Sequence, residues 1–356
     1  MAFTFSLESF LDRFSSLISP LRTKRFAFKP LWIGVGSVFL LSACSAVTEQ
    51  SKAYPLDESG NYYVVSSTEL VADGAEGEET YDLIEGVLGR GSIEAPDLYG
   101  SANHAGERHI TEANDPKVGN HFVFHIHVDE DKDRDKVEIT DRQRNEIKVY
   151  AKSDDHLKGA LGKTFEYRWA FKVSDDLAVS KNFTHLFQLK AFKARGSAGI
   201  TNSPLLTLTA NTRSGKSGLE VRHVHYNSDR RGTENNTLAH TARMKNVDWN
   251  KDIQGQWLEV FVRAHYHEQG SLYMTVTKLG ESQPLIEVDE PNLEMWRSGD
   301  LDGKGHFVRP KWGIYRSLKS KHLLKDEQVS FANFVIQEVK LIEEVKQTEE
   351  IKPVEE

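Results

Sequence analysis

Three short blocks carry most of the side chains that could hold an anion and move a proton. They are Arg144-Asn145-Glu146-Ile147-Lys148, Phe187-Gln188-Leu189-Lys190 and Lys311-Trp312-Gly313-Ile314-Tyr315-Arg316. In a strand successive side chains point to opposite faces. Ile147 and Val149 are therefore expected inward, with Arg144, Glu146 and Lys148 together outward. The same parity puts Leu186, Gln188 and Lys190 on one face and His185, Phe187 and Leu189 on the other. Trp312 and Ile314 face the core, which leaves Lys311 and Tyr315 on the opposite side. The sum is a polar, largely cationic face of Arg, Lys, Gln, His and Tyr. An antiparallel sheet presents a solvated polar face by default, but such a face would mix in more Glu, Ser and Thr.

The histidines and acidic runs offer other chemistries. His223 and His225 share a strand face, and His121, His125 and His127 repeat that parity elsewhere. Two histidines at i,i+2 can ligate a metal, but zinc needs a third ligand and none announces itself, so no metal site is assigned. Asp129 to Asp135 alternates in charge without the Gly and terminal Glu of an EF-hand loop, and reads as a solvated hairpin. Asp300 to Gly305 reads as a turn; calcium is not indicated and no cofactor is expected. Glu287-Val288-Asp289-Glu290 is followed by Pro291 where the second acid of a two-carboxylate hydrolase would stand, so that mechanism lacks its pair.

The elements that must position these residues are strands. Period-two alternation runs through His121–Val128, Glu146–Tyr150, Thr164–Val173, His185–Phe192, Leu205–Asn211, Leu219–Tyr226, Trp257–His265, Ser271–Lys278, Lys311–Arg316 and Val329–Leu341. No segment of twelve residues keeps a helical period. Tyr167, Trp169, Phe171 and Val173 form one apolar row. An all-β, two-sheet β-jelly-roll sandwich with a polar concave cleft follows, in one domain over 81–342. Residues 44–80 read as a flexible tether with one short strand at Tyr62–Ser66, and Glu343–Glu356, with six Glu and two Lys, as an acidic disordered tail.

The chain has 356 residues, a net charge of −8 and a single cysteine. One cysteine excludes a disulfide framework and any Cys-based zinc site. The acidic balance excludes nucleic acid as the main partner. Leu31–Leu41 is an apolar run of eleven residues, too short for a spanning helix of about 20 but right for a signal-peptide core. It ends in Leu41-Ser42-Ala43-Cys44, which resembles a bacterial lipobox, with residues 1–43 as signal peptide and Cys44 as the acylated, membrane-anchoring residue. A short signal anchor with an incidental cysteine is the alternative. Ser45 in place of Asp implies the outer membrane, on its periplasmic face or the cell surface. Removing residues 1–43 leaves a net charge of −11, so an anionic ligand must be met by cations gathered in one place.

Taken together, the three blocks resemble, in order and spacing, those of jelly-roll polysaccharide lyases: the heparin lyase I and glucuronan lyase group and, more distantly, the alginate lyases. R-N-E-I-K is similar to an R-(S/T/N)-E-L-R strand, F-Q-L-K to a Q-(I/V)-H strand and K-W-G-I-Y to a Y-F-K-A-G-x-Y strand. Gly255-Gln256-Trp257 resembles the G-x-W strand entry of concanavalin-like sandwiches, and the likeness runs from about Arg142 to Phe334. It implies β-elimination from a uronic-acid-containing acidic polysaccharide by a monomer. That chemistry must neutralise the uronate carboxylate, remove the C5 proton and protonate the departing C4 oxygen.

By resemblance Gln188 binds the carboxylate with Arg144 as second donor, and Tyr315 is the acid, and also the base when both groups lie on one side of the sugar. Lys311 is expected to lower the phenol pKa. Glu146, Lys148, Lys190, His223 and Arg316 are the expected substrate-binding residues. Lys190 stands where the alginate-type strand has histidine, so the base is sought at His225 first, then His223. Tyr315 also reads as a packed strand tyrosine, and Gln188 as a cross-strand hydrogen-bonder. A non-catalytic surface glycan-binding lipoprotein, or a structural envelope lipoprotein docking a partner, would use the same face.

Overall fold

The computed structural model describes residues 56–343, apart from 100–103, 105, 135, 137, 193–201, 228–231 and 298–305. The expected signal peptide, Cys44 and nearly all of the expected acidic tail lie outside the described residues. Among the described residues fifteen strands build two antiparallel sheets, an all-β sandwich of jelly-roll-like form. The eight-stranded sheet runs β13 (Pro284–Leu293), β12 (Gly270–Lys278), β11 (Leu258–His265), β6 (Thr164–Val173), β15 (Glu327–Leu341), β4 (Gly119–Ile126), β3 (Ile110–Asp115), with β1 (Tyr62–Leu70) also paired to β15. The seven-stranded sheet runs β10 (Gly232–His240), β9 (Lys216–Asn227), β8 (Leu206–Arg213), β7 (Thr184–Phe192), β14 (Phe307–Ser317), β5 (Arg142–Lys148), β2 (Ile93–Glu94).

The inward rows meet as the alternation requires. Trp312 from β14 packs with Tyr167 and Trp169 of β6, Phe187 of β7 and Phe334 of β15 at ring-centroid distances of 5.2–6.3 Å. Each fully buried aromatic of this kind contributes about 2–3 kcal/mol of transfer free energy. Ile147, Val149 and Ile314 join the same core. The inner face of the seven-stranded sheet is thereby fixed, and its polar row is forced outward.

Two expectations change. The sandwich begins before residue 81, because β1, longer than the short strand expected there, pairs with β15 over eight register positions. A helix, α1 (Thr80–Leu88), follows it, started by the Glu79 carboxylate accepting the N–H groups of Tyr81 and Asp82 and buried through Tyr81, Ile84 and Leu88. At nine residues it is too short to show against the strand pattern. Strands β3, β10 and β13 escape the alternation because they are sheet edges with polar sequences (ITEAND, GTENNTLAH, PLIEVDEPNL), the composition that keeps edges from pairing further.

Candidate active site

Strands β5, β14 and β7 lie side by side and set the register of the polar face. Tyr315 stands opposite Arg144 on one side and His185 on the other; Lys311 stands opposite Lys148 and Gln188. Arg144, Glu146, Lys148, Gln188, Lys311 and Tyr315 thus share one face, as parity requires. All but Tyr315 are buried, since they cover one another.

Carboxylates hold this cluster together. Glu146 accepts hydrogen bonds from Gln188 Nε2, Arg144 Nη1 and, at 2.6 Å, Lys311 Nζ. Glu94 of β2 accepts from Lys311 Nζ at 2.7 Å and Lys148 Nζ at 2.6 Å. Asp133 accepts from Arg144 Nε at 2.8 Å. Burial pushes the Glu94 and Glu146 carboxyls up, but Lys311 and Arg144 outweigh it and hold both below the usual carboxylate range. Burial drives Lys148 down to about 7 despite Glu94. The placement expected of Glu146 therefore changes. It does not face a sugar but anchors the donors of Gln188, Arg144 and Lys311, which are thereby preorganised.

Around Tyr315 the arrangement is different. The Arg144 guanidinium lies 3.6 Å from the ring centroid, and Arg142 Nη1 donates to the phenol oxygen at 3.2 Å. Lys311, expected beside the phenol, is instead taken up by Glu94 and Glu146. The group the sequence misses is His185. Register shifts mark this stretch, between His185 and Phe187 of β7 against β8 and between Trp312 and Tyr315 of β14 against β7. Leu186 and Phe187 both enter the core, so His185 turns out to the polar face instead of inward. Its ring centroid is 5.9 Å from that of Tyr315. Thr209 donates its hydroxyl to Thr207 at 3.0 Å and so accepts from His185 Nδ1–H at 2.7 Å. That leaves the lone pair on Nε2, a fixed tautomer suited to accepting a proton. Burial pushes the imidazole pKa down to about 3, so the ring is neutral at physiological pH.

Further along the same face, Lys190 pairs in register with Arg309. Lys190 Nζ donates to the Asn202 carbonyl at 2.8 Å, and burial followed by the nearby Lys311 and Arg144 charges lowers its pKa to about 7. Arg309 keeps Nε and Nη1 buried without a hydrogen-bond partner among the described residues. Donors in that state suit an anion brought from outside.

Three other placements differ from expectation. His223 and His225 do share a face, but it is the face of Leu219 and Val221, which lie in the core. His223 Nε2 meets the Glu294 carbonyl at 2.7 Å and His225 Nδ1 the Glu294 carboxylate. Neither points to the face of Gln188 and Tyr315, so neither serves as its base. Arg316 likewise shares the inward parity of Trp312 and Ile314 and donates Nε to Gln143 Oε1 at 2.6 Å; it is not on the binding face. The acidic run after β4 is no solvated hairpin either, since Asp131 and Asp133 are buried.

The chain matches no family model and no curated protein. It is similar to solved structures of an endo-β-1,4-glucuronan lyase from the fungus Trichoderma reesei (14% identity, 69% of this chain and 93% of that one, TM-score 0.45). It is also similar to a marine alginate lyase from Aplysia kurodai (13% identity, 77% and 98%, TM-score 0.48). A third is an alginate lyase from Klebsiella pneumoniae (11% identity, 78% and 95%, TM-score 0.42).

Proposed function

We propose that this chain is a polysaccharide lyase that cleaves a uronate-containing acidic polysaccharide by β-elimination in a polar concave cleft over β5, β14 and β7. The observation that carries the reading is the pairing of His185 and Tyr315 on a face lined with buried cations. His185 Nε2 takes the C5 proton as base, and the Tyr315 phenol gives its proton to the C4 oxygen as the bond to it breaks. Electrons from the C5–H bond form the C4–C5 double bond. Arg142 and Arg144 stand beside the phenol to bind and neutralise the uronate carboxylate. Arg309 and Lys190, on the same face farther along strands that rise about 3.3 Å per residue, fit carboxylates of other sugars in an extended polymer.

One observation favours a second reading, a glycan-binding surface lipoprotein without turnover. The donors of Gln188, Lys311 and Arg144 already serve Glu146, Glu94 and Asp133. Incubating the protein with alginate, glucuronan, ulvan, heparinoids and pectate separates the two. The lyase reading expects ultraviolet absorbance from a 4,5-unsaturated uronate on at least one of them. Saturable binding with no new absorbance on any would establish the second reading instead.

The lipobox supports anchoring through Cys44 in the bacterial outer membrane. Cys44→Ser is expected to leave the protein unprocessed or soluble, because the acyl chains that hold it are lost. Retention of that variant in carbonate-washed membranes would rule the anchor out.

A further inference from the structure

The turn that brings Asp133 to Arg144 carries Asp131 into a separate cluster. His104 Nδ1 lies 3.1 Å from His127 Nδ1, which lies 3.2 Å from His109 Nε2. Asp131 Oδ1 is 3.0 Å from His109 Nε2 and 3.5 Å from His104 Nδ1. Metal–nitrogen bonds of about 2.0–2.1 Å in a tetrahedron place neighbouring ligand atoms about 3.3 Å apart. Four of the six separations among these atoms thus already match a tetrahedral coordination shell, and all of them lie within 4.8 Å.

Protons satisfy such contacts only in pairs. His109 Nδ1 lies 2.8 Å from the Glu107 carbonyl, a contact that requires the ring N–H there. In the neutral ring the Nε2 lone pair then faces a carboxylate oxygen and a second imidazole nitrogen. A cation between them satisfies all four atoms at once. The surroundings complete the shell as outer partners do in metal centres. His104 Nε2 stands 3.2 Å from Glu130 Oε2, and the His127 backbone N–H donates to Asp131 Oδ2. Tyr81 of α1 accepts the backbone N–H of His109 at 3.1 Å. Gln143 Nε2 donates to the carbonyls of His127 and Asp131.

We propose that His104, His109, His127 and Asp131 form a binding site for a zinc-class divalent cation. Three imidazoles and one carboxylate suit zinc and disfavour calcium and magnesium, which prefer shells of oxygen. Four protein ligands leave no open position, so the ion is structural. It ties the segment before β3 to the turn after β4, and that turn carries Asp133 to Arg144. The sequence does not announce this set because three of its members, His104, His109 and Asp131, lie outside the strands whose alternation it shows.

The test uses the untagged full chain, stripped with chelator, incubated with Zn2+ and dialysed. One zinc per chain by mass spectrometry is expected, with a higher Tm than the stripped protein. Co2+ in its place should give the intense visible bands of tetrahedral cobalt. His104→Ala removes a partly exposed loop ligand, so the sandwich should fold while zinc retention falls at least tenfold and the Tm gain disappears. His125→Ala, next to the cluster but bonded to Thr111, should keep its zinc. Wild-type protein that keeps no zinc, or His104→Ala and His109→Ala variants that both keep a full equivalent, would overturn the site.

Discussion

His185 and Tyr315 face each other with separate supports, so each can be removed without dismantling the other. The hydroxyl chain through Thr209 and Thr207 fixes the His185 tautomer, and Arg142 and Arg144 frame the phenol. His185→Gln keeps an amide N–H for Thr209 but has no lone pair of comparable basicity. Turnover should fall about 10²–10⁴-fold with substrate affinity nearly kept, which a split of kcat from KM would show. Lys190 sets a second expectation. With its pKa near 7 in the free protein, its charge attracts an anionic ligand fully below that pH and is lost as pH rises. Affinity should therefore drop above about pH 7, by up to about tenfold per pH unit from this group. Lys190→Met should weaken binding near pH 6 and flatten that part of the profile; a wild-type slope in Lys190→Met would assign the titration elsewhere. At this scale the residue types of the face were legible, since side-chain parity follows from sequence. Partners were not: Glu94 and Asp133, which hold Lys311 and Arg144, come from a two-residue strand and a turn without periodic signal.

Strands read correctly where one face is apolar. Strand β6 keeps Tyr167, Trp169, Phe171 and Val173 in the core as its alternation requires, and β14 keeps Trp312 and Ile314 inward. The irregularities in β7 and β14 did not show, because a bulge is chosen by the neighbouring strand as much as by its own residues. It is this irregularity that turns His185 toward Tyr315. Gly313 is the one residue whose type signals it. Its φ of +137° lies where L-residues are strained, and a Cβ there would meet Glu146 Cα at 2.7 Å and the Asn145 carbonyl. Gly313→Ala should cost about 2–4 kcal/mol and push β5 away from β14. Denaturant unfolding measures the cost; a midpoint equal to wild type would show that the close approach is not required.

Across the whole molecule the charge is arranged against its own average. The sequence is acidic, with a net charge of −8, yet Arg144, Lys148, Lys311, Lys190 and Arg309 gather on one face. An acidic polymer is then attracted locally and repelled elsewhere, and its affinity should fall as salt rises, because surface charges screen over about 10 Å at 0.1 M. Equal binding of a neutral glucan at low and high salt would contradict that picture. The sandwich was legible because a large core demands two alternating sheets. The histidine cluster was not, because it joins a loop, two strand ends and a turn. The most direct measurement of the central claim is the rate of unsaturated uronate formation by Tyr315→Phe beside wild type. The phenol's loss removes one hydrogen bond from Arg142, about 1 kcal/mol of stability, while Trp312 and Ile314 still hold the strand. Wild type is expected to cleave an acidic polysaccharide, and the variant to turn over at least a hundredfold more slowly with binding retained. Wild-type turnover in folded Tyr315→Phe would contradict the central claim.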